Sequence, residues 1–267
     1  MRWLLVLFIF CPVAVHGQET KGNAEPERAA RLKVMRDLAG DVRVYGPEKK
    51  EIPRIEKPLM RPVDASRGYQ DGTMWAFGRT GRPDVVMLLQ TNDASTGKWW
   101  HAATSLTKQT LRVERKEELV WAPSKPGIAF ADLKNAQAPA KSKPLRLIQM
   151  RKLARRCTAH QFWNPNNQRF QLRLLPQPIH RYSDSKKGIT DGAVFGFMVN
   201  VHPELLLILE SVKQDERESW RFAFAKIGSA EFHAQLDGEE VFKSPRAPRV
   251  VGRQNDTYRM FFVSIDP

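Results

Sequence analysis

Two cysteines, Cys11 and Cys157, are all that this 267-residue chain contains. Cys11 lies in the N-terminal apolar segment, so the body of the protein holds a single thiol and no internal disulfide. A framework of bridges is excluded, and a hydrophobic core has to hold the fold. Metal-ligand spacing is lacking as well. His101, His160, His180, His202 and His233 are scattered, with no HxH, HExxH or CxxC among them, so neither a metal nor a cofactor is expected. There is no GxSxG elbow and no phosphate-binding loop. Ser105-Leu106-Thr107-Lys108 spells SxxK, but it falls at a strand end without companion motifs, so no catalytic residue is assigned. Past the N-terminus no apolar run is long enough to span a bilayer. Leu205–Leu209 is short and comes after a turn, which marks it as a buried strand.

Acid is the minority charge. Lys and Arg number 43 against 29 Asp and Glu, a formal net charge of +14. Such a surface attracts polyanions. Arg146, Arg151, Lys152, Arg155 and Arg156 occur with no acid between them and are the candidate polyanion-binding residues. The partners they imply are an acidic glycan, an anionic membrane surface or an envelope protein. Export argues against nucleic acid. The expectation of export rests on Arg2, the apolar run Trp3–Val15 and the small-residue site before Gln18, so residues 1–17 read as a secretory signal cleaved near Gly17. The protein is then periplasmic or extracellular. Phe8-Ile9-Phe10 lacks the small residue that lipidation at Cys11 needs.

The chain also resembles itself. Pro58, Arg61, Asp64, Gly68, Asp71, Gly72, Phe77, Pro83 and Leu89 fall, at a constant offset of 120, on Pro178, Arg181, Asp184, Gly188, Asp191, Gly192, Phe197, Pro203 and Leu209. Arg31–Ala39 matches Arg146–Ala154 at an offset of 115. Both of these segments space apolar residues helically: Leu32, Met35, Leu38, Ala39 and then Leu147, Met150, Leu153, Ala154, with Cys157 extending the second stripe as a buried, inert thiol. The remainder of each copy reads as strands joined by short turns, at 54–61, 73–79, 85–90, 99–105, 111–115 and 119–121, and again at 171–181, 193–199, 205–210, 220–226, 231–235 and 240–242. Short connections favour antiparallel pairing. The expected fold is α+β, a tandem duplication with one helix and a curved antiparallel meander per copy, comparable in shape to cystatin and NTF2-like rolls. The boundaries are copy 1 over 26–124, a linker over 125–141, copy 2 over 142–246, and a tail over 247–267 carrying a final strand at 258–264.

The segments Leu174-Leu175-Pro176-Gln177-Pro178, Asp191-Gly192-Ala193-Val194-Phe195 and Pro203-Glu204-Leu205-Leu206 resemble an uncharacterised group of secreted, two-repeat proteins from planctomycete-type bacteria. The resemblance covers nearly the whole chain after the leader. It implies export and the two-copy layout, and carries no activity or catalytic residue with it.

The twice-used polar set is Arg61, Asp64, Asp71 and Gly72 with Arg181, Asp184, Asp191 and Gly192. An Arg between two carboxylates suits a ligand site or a general-acid pair. Asp-Gly also makes turns, with an Arg tying the turn by a bidentate pair, and that structural role is the expectation. Trp75, Trp99, Trp100, Trp121, Trp163 and Trp220 are expected mainly in the core. Together these features point to a non-catalytic structural or binding protein of the cell envelope or exterior. The alternative is a hydrolase of an acidic polymer with its site between the two halves.

Overall fold

The structure, a computed structural model, describes residues 24–62, 68, 70–163, 166–215, 217–247 and 256–265; the expected leader lies outside them. The first half runs α1 (Ala24–Gly40), β1 (Val42–Tyr45), β2 (Glu51–Ile52), β3 (Asp71–Phe77), β4 (Val85–Thr91), β5 (Lys98–Ser105), β6 (Arg112–Arg115) and β7 (Glu118–Trp121). After a connecting β8 (Ala131–Asp132) come α2 (Lys143–Ala154), β9 (Cys157–Trp163), β10 (Gln168–Leu174), β11 (His180–Asp184), β12 (Ile189–Val199), β13 (His202–Gln214), β14 (Arg217–Lys226), β15 (Glu231–Leu236) and β16 (Glu239–Ser244). A last strand, β17 (Tyr258–Ser264), closes the chain. The protein is α+β, with antiparallel sheets as the short connections require.

Both helices form where apolar residues recur every three to four positions. α1 carries Glu25 and Glu27 in its first turn, which complements the helix dipole, and ends at Gly40. It buries Met35, Leu38 and Ala39. α2 opens with Pro144 in the first turn and buries Arg146, Met150, Leu153 and Ala154. Cys157 does not extend that stripe. The helix stops at Ala154, and Cys157 opens β9, paired with Leu236.

The central strands are buried on both faces, and alternation sorts their side chains into layers. Trp75, Phe77, Met87 and Leu89 face α1, while Met74, Ala76, Val86 and Leu88 face the second half. There Phe195, Leu205, Leu207 and Phe222 face α2, and Val194, Leu206, Ile208 and Ala223 meet the first half. The stack is therefore helix, sheet, sheet, helix, with the two sheets packed face to face. Burying a large apolar side chain contributes about 1.5–3 kcal/mol each, so the layer between the sheets joins the halves firmly.

Three expectations need correction. Residues 54–61 form no strand, only isolated bridges from Arg54 to Phe77 and Met60 to Met74, because Pro53, Pro58 and Pro62 remove ladder donors. The expected strand over 171–181 breaks into β10 and β11 around Pro176 and Pro178 for the same reason. The segment 125–141 is no free linker. Ile128 and Leu133 are buried, and Ala131–Asp132 pairs with Phe222 and Arg221 on the edge of β14. At the other end of the chain, β17 covers the edge of β5, from Tyr258 opposite Thr104 to Ser264 opposite Lys98. The edges of β14 and β5 are thus each covered by the segment that comes after the opposite half.

Candidate functional site

Asp71 begins β3 beneath α1 and is almost completely buried. Arg61 donates to both its oxygens, Nε to Oδ1 at 2.8 Å and Nη2 to Oδ2 at 2.5 Å, and Arg31 of α1 donates Nε to Oδ2 at 3.1 Å. Arg61 Nη2 also reaches the Arg28 carbonyl at 2.5 Å. The second half has the same construction. Arg181 holds Asp191 through Nε to Oδ1 at 3.0 Å and Nη2 to Oδ2 at 2.6 Å; Arg146 of α2 adds Nε to Oδ2 at 3.0 Å, and Arg181 Nη2 caps the Lys143 carbonyl at 2.6 Å. Burial opposes ionisation of Asp71, but the hydrogen bonds from Arg61 and Arg31 outweigh it and hold the carboxyl below its usual range. These groups clasp helix to sheet and leave the carboxylate no open position for a substrate.

The Asp-Gly pairs expected in turns lie inside strands: Asp71 and Gly72 in β3, Asp191 and Gly192 in β12. Their glycines serve close packing. A Cβ on Gly192 would collide with the ring of Tyr182. Asp184 does end a strand, with a short 3₁₀ turn after it closed by Gly188 at φ 67°. Asp64 lies outside the described residues.

The basic candidates divide. Arg146 is buried on Asp191, so it is not available to a surface partner. Arg156 is held by Asp237, Nε to Oδ1 at 3.0 Å and Nη2 to Oδ2 at 2.5 Å, and by the Lys134 and Asn135 carbonyls. Arg151 bonds Gln177. Lys152 and Arg155 remain on the solvent side. With them stand Leu145 and Ile148, 54% and 58% exposed. Positions 145, 148, 152 and 155 share one helical face. No acid occurs anywhere between Asp132 and Asp184, so this face is cationic with an apolar pair beside it.

Where the two sheets meet lie polar groups that the scattered histidines did not reveal. On one side Arg82 Nη1 donates to Glu210 Oε1 at 2.5 Å, Tyr182 OH to the same oxygen at 2.7 Å, and Arg221 Nε to Oε2 at 2.8 Å. Phe130 lies beneath both guanidiniums, at 4.8 and 4.4 Å. On the other side His202 Nδ1 meets Glu204 Oε1 at 2.8 Å and Nε2 meets Gln90 Oε1 at 2.6 Å. At the offset of 120, His202 corresponds to Arg82, Gln90 to Glu210, and Glu204 to Asp84, whose carboxyl burial pushes up. The signal in the sequence was this divergence between matched positions, not any histidine spacing. Strand register adds one more matched pair: Glu210 pairs with Arg221 and Gln90 with Trp100, so Arg221 corresponds to Trp100.

Of the other candidates, Cys157 is buried and its thiol is pushed up to about 12 by desolvation, which makes it inert. Trp75, Trp99, Trp121 and Trp220 are core, whereas Trp100 and Trp163 are partly exposed. Among the described residues no group of three or more His, Cys, Asp or Glu is placed to hold a metal ion, and no helix is long and apolar enough to cross a membrane. Compared with known proteins, the chain matches no family model, no curated protein and no solved structure.

Proposed function

We propose that the chain is an exported, non-catalytic binding protein that rests on an anionic membrane surface through the outer face of α2. The observation that carries this reading is that face: Leu145 and Ile148 exposed beside Lys152 and Arg155. Cations alone would suit any polyanion. Exposed aliphatic side chains next to them favour a headgroup layer over an acidic glycan or an envelope protein, because they gain by entering the acyl boundary. Each Lys or Arg near such a surface contributes about 1 kcal/mol. The export itself rests on the N-terminal segment and on the resemblance to secreted two-repeat proteins.

A tandem duplication supports the same picture of a scaffold. Its support is the pair of Arg–Asp–Arg clasps and the matched pairings of β1 with β6 and β9 with β15. In each half a helix lies across antiparallel strands, which is the ground for reading each copy as a roll of the cystatin or NTF2-like kind.

The hydrolase alternative is favoured by one observation, the His202–Glu204 pair between the halves. A general base needs a ring nitrogen turned to water. Both nitrogens of His202 instead meet protein oxygens, so binding is the better reading. Vesicle flotation tests it. Phosphatidylglycerol vesicles should carry the protein at physiological salt and phosphatidylcholine vesicles should not. Exchanging Lys152→Glu with Arg155→Glu should weaken the association at least tenfold. Equal binding by that variant, or capture by hyaluronate in preference to vesicles, would overturn the assignment.

A further inference from the structure

The two ends of the seam between the sheets are built from matched positions but finished differently. At one, Arg82 spans to Glu210 and is backed by Arg221 and Phe130, so charged and aromatic side chains bridge the sheets at this point. At the other, the shorter His202 and Gln90 occupy the corresponding places and leave a cavity of about 270 Å³. Gln90 and Ala102 come from the first half, Tyr258 and Met260 from β17, and Trp163, His202, Glu204 and Ser229 from the second half. Gln90, His202 and Glu204 are each at least nine-tenths buried. The wall is shaped around the carboxylate: a Cβ on Gly228 would collide with Glu204 Oε2.

We propose that this cavity seats a neutral polyhydroxylated ligand, one ring of a carbohydrate, separately from the α2 surface. The volume admits a single ring. The lining mixes an acceptor with groups that donate and accept: the Glu204 carboxylate, the Gln90 amide and the Ser229 hydroxyl, with His202 bonded to Glu204 and Gln90 and so holding both in place. That mixture suits vicinal hydroxyls, which donate and accept at once. Trp163, partly exposed, lines the cavity and supplies aromatic surface for the C–H side of a ring, with Ala102 and Met260 as apolar wall. Other chemistries fit less well. An anion meets the Glu204 carboxylate, and a cation finds in the lining a single acid, already hydrogen-bonded to His202.

The test uses the purified protein with glucose, galactose and N-acetylglucosamine as probes, and tetramethylammonium and acetate as controls. Saturation-transfer NMR and tryptophan fluorescence report binding. The decisive variant combines Gln90→Glu with His202→Arg, which rebuilds across the cavity the pair that bridges the opposite end. At least one sugar should saturate on the parent protein and bind at least tenfold more weakly to this variant, while the thermal midpoint is retained. If the double variant does not fold, Trp163→Ala should give the same loss. No saturation by any of the sugars, undiminished binding in the closed variant, or preference for either control would overturn the proposal. Vesicle binding through α2 is independent of every one of these outcomes.

Discussion

Asp71 and Asp191 each stand where a strand passes beneath a helix, and each is held by two arginines, one from the helix and one from the segment before the strand. A carboxylate so placed is costly to leave alone. Replacing Asp71 or Asp191 with Asn should destabilise the protein by about 3 kcal/mol, the low end for a broken buried pair, since the carboxylate is buried but its guanidiniums, Arg146 apart, are partly exposed; urea unfolding measures it. The depressed pKa of Asp71 sets the pH dependence. Its contribution is fully present above the ordinary carboxylate value of about 4 and is lost as pH falls towards the lower folded value. The histidines spread in both directions. Desolvation lowers His101 to about 3, so it stays neutral in the fold and withdraws stability as pH falls below about 6.5, where the unfolded chain takes up the proton. His233 is raised by its hydrogen bonds to Glu240 and Glu231, at 2.6 and 3.0 Å, and its contribution disappears as pH rises through the folded value. NMR titration should find His233 titrating above His160, whose ring stacks on it at 5.0 Å and is lowered by burial. It should find His101 silent down to pH 4. The reverse order would contradict these environments.

Elements show where the sequence could be read and where it could not. Met150, Leu153 and Ala154 sit at helical spacing and are buried as that spacing requires. Cys157 sits at the same spacing, yet the helix has ended, because a residue that continues a helical stripe can equally open a strand paired with Leu236. Asp-Gly was read for its turn propensity, whereas Gly192 answers to the ring of Tyr182 and Gly72 to the Leu89 and Pro62 carbonyls, contacts made with neighbouring segments. The sealing of edges by β8 and β17 was only half legible. Tyr258–Ser264 alternates as a strand, but two residues in a Pro- and Ala-rich stretch leave no periodic signal. β17 covers the open edge of β5 and brings buried Tyr258 and Val263 to the two inner layers. Ending the chain before Tyr258 should therefore lower the thermal midpoint and promote self-association through β5, visible by size-exclusion chromatography.

At the scale of the whole molecule, duplication-like matching and divergence have separate consequences. The matched clasps fix a helix on each outer side, and the apolar layer of Met74, Val86, Leu88, Leu206 and Ile208 fixes the sheets against each other. The cavity was not legible because Gln90, Trp163, His202, Ser229 and Tyr258 are gathered from separate segments. The basic helix was legible as a charge run, but not which of its charges are spent: Arg146 and Arg156 are committed inside, leaving Lys152 and Arg155 outside with Leu145 and Ile148. That outer face is the centre of the account, and a polarity-sensitive fluorophore tests it directly. Cys157 is buried and unreactive, so in protein lacking residues 1–17 an introduced thiol is labelled selectively. With Ile148→Cys the label should shift to the blue on adding phosphatidylglycerol vesicles, while with Val241→Cys, on another exposed site, it should not move. An unshifted label at 148, or an equal shift at both positions, would contradict docking through α2.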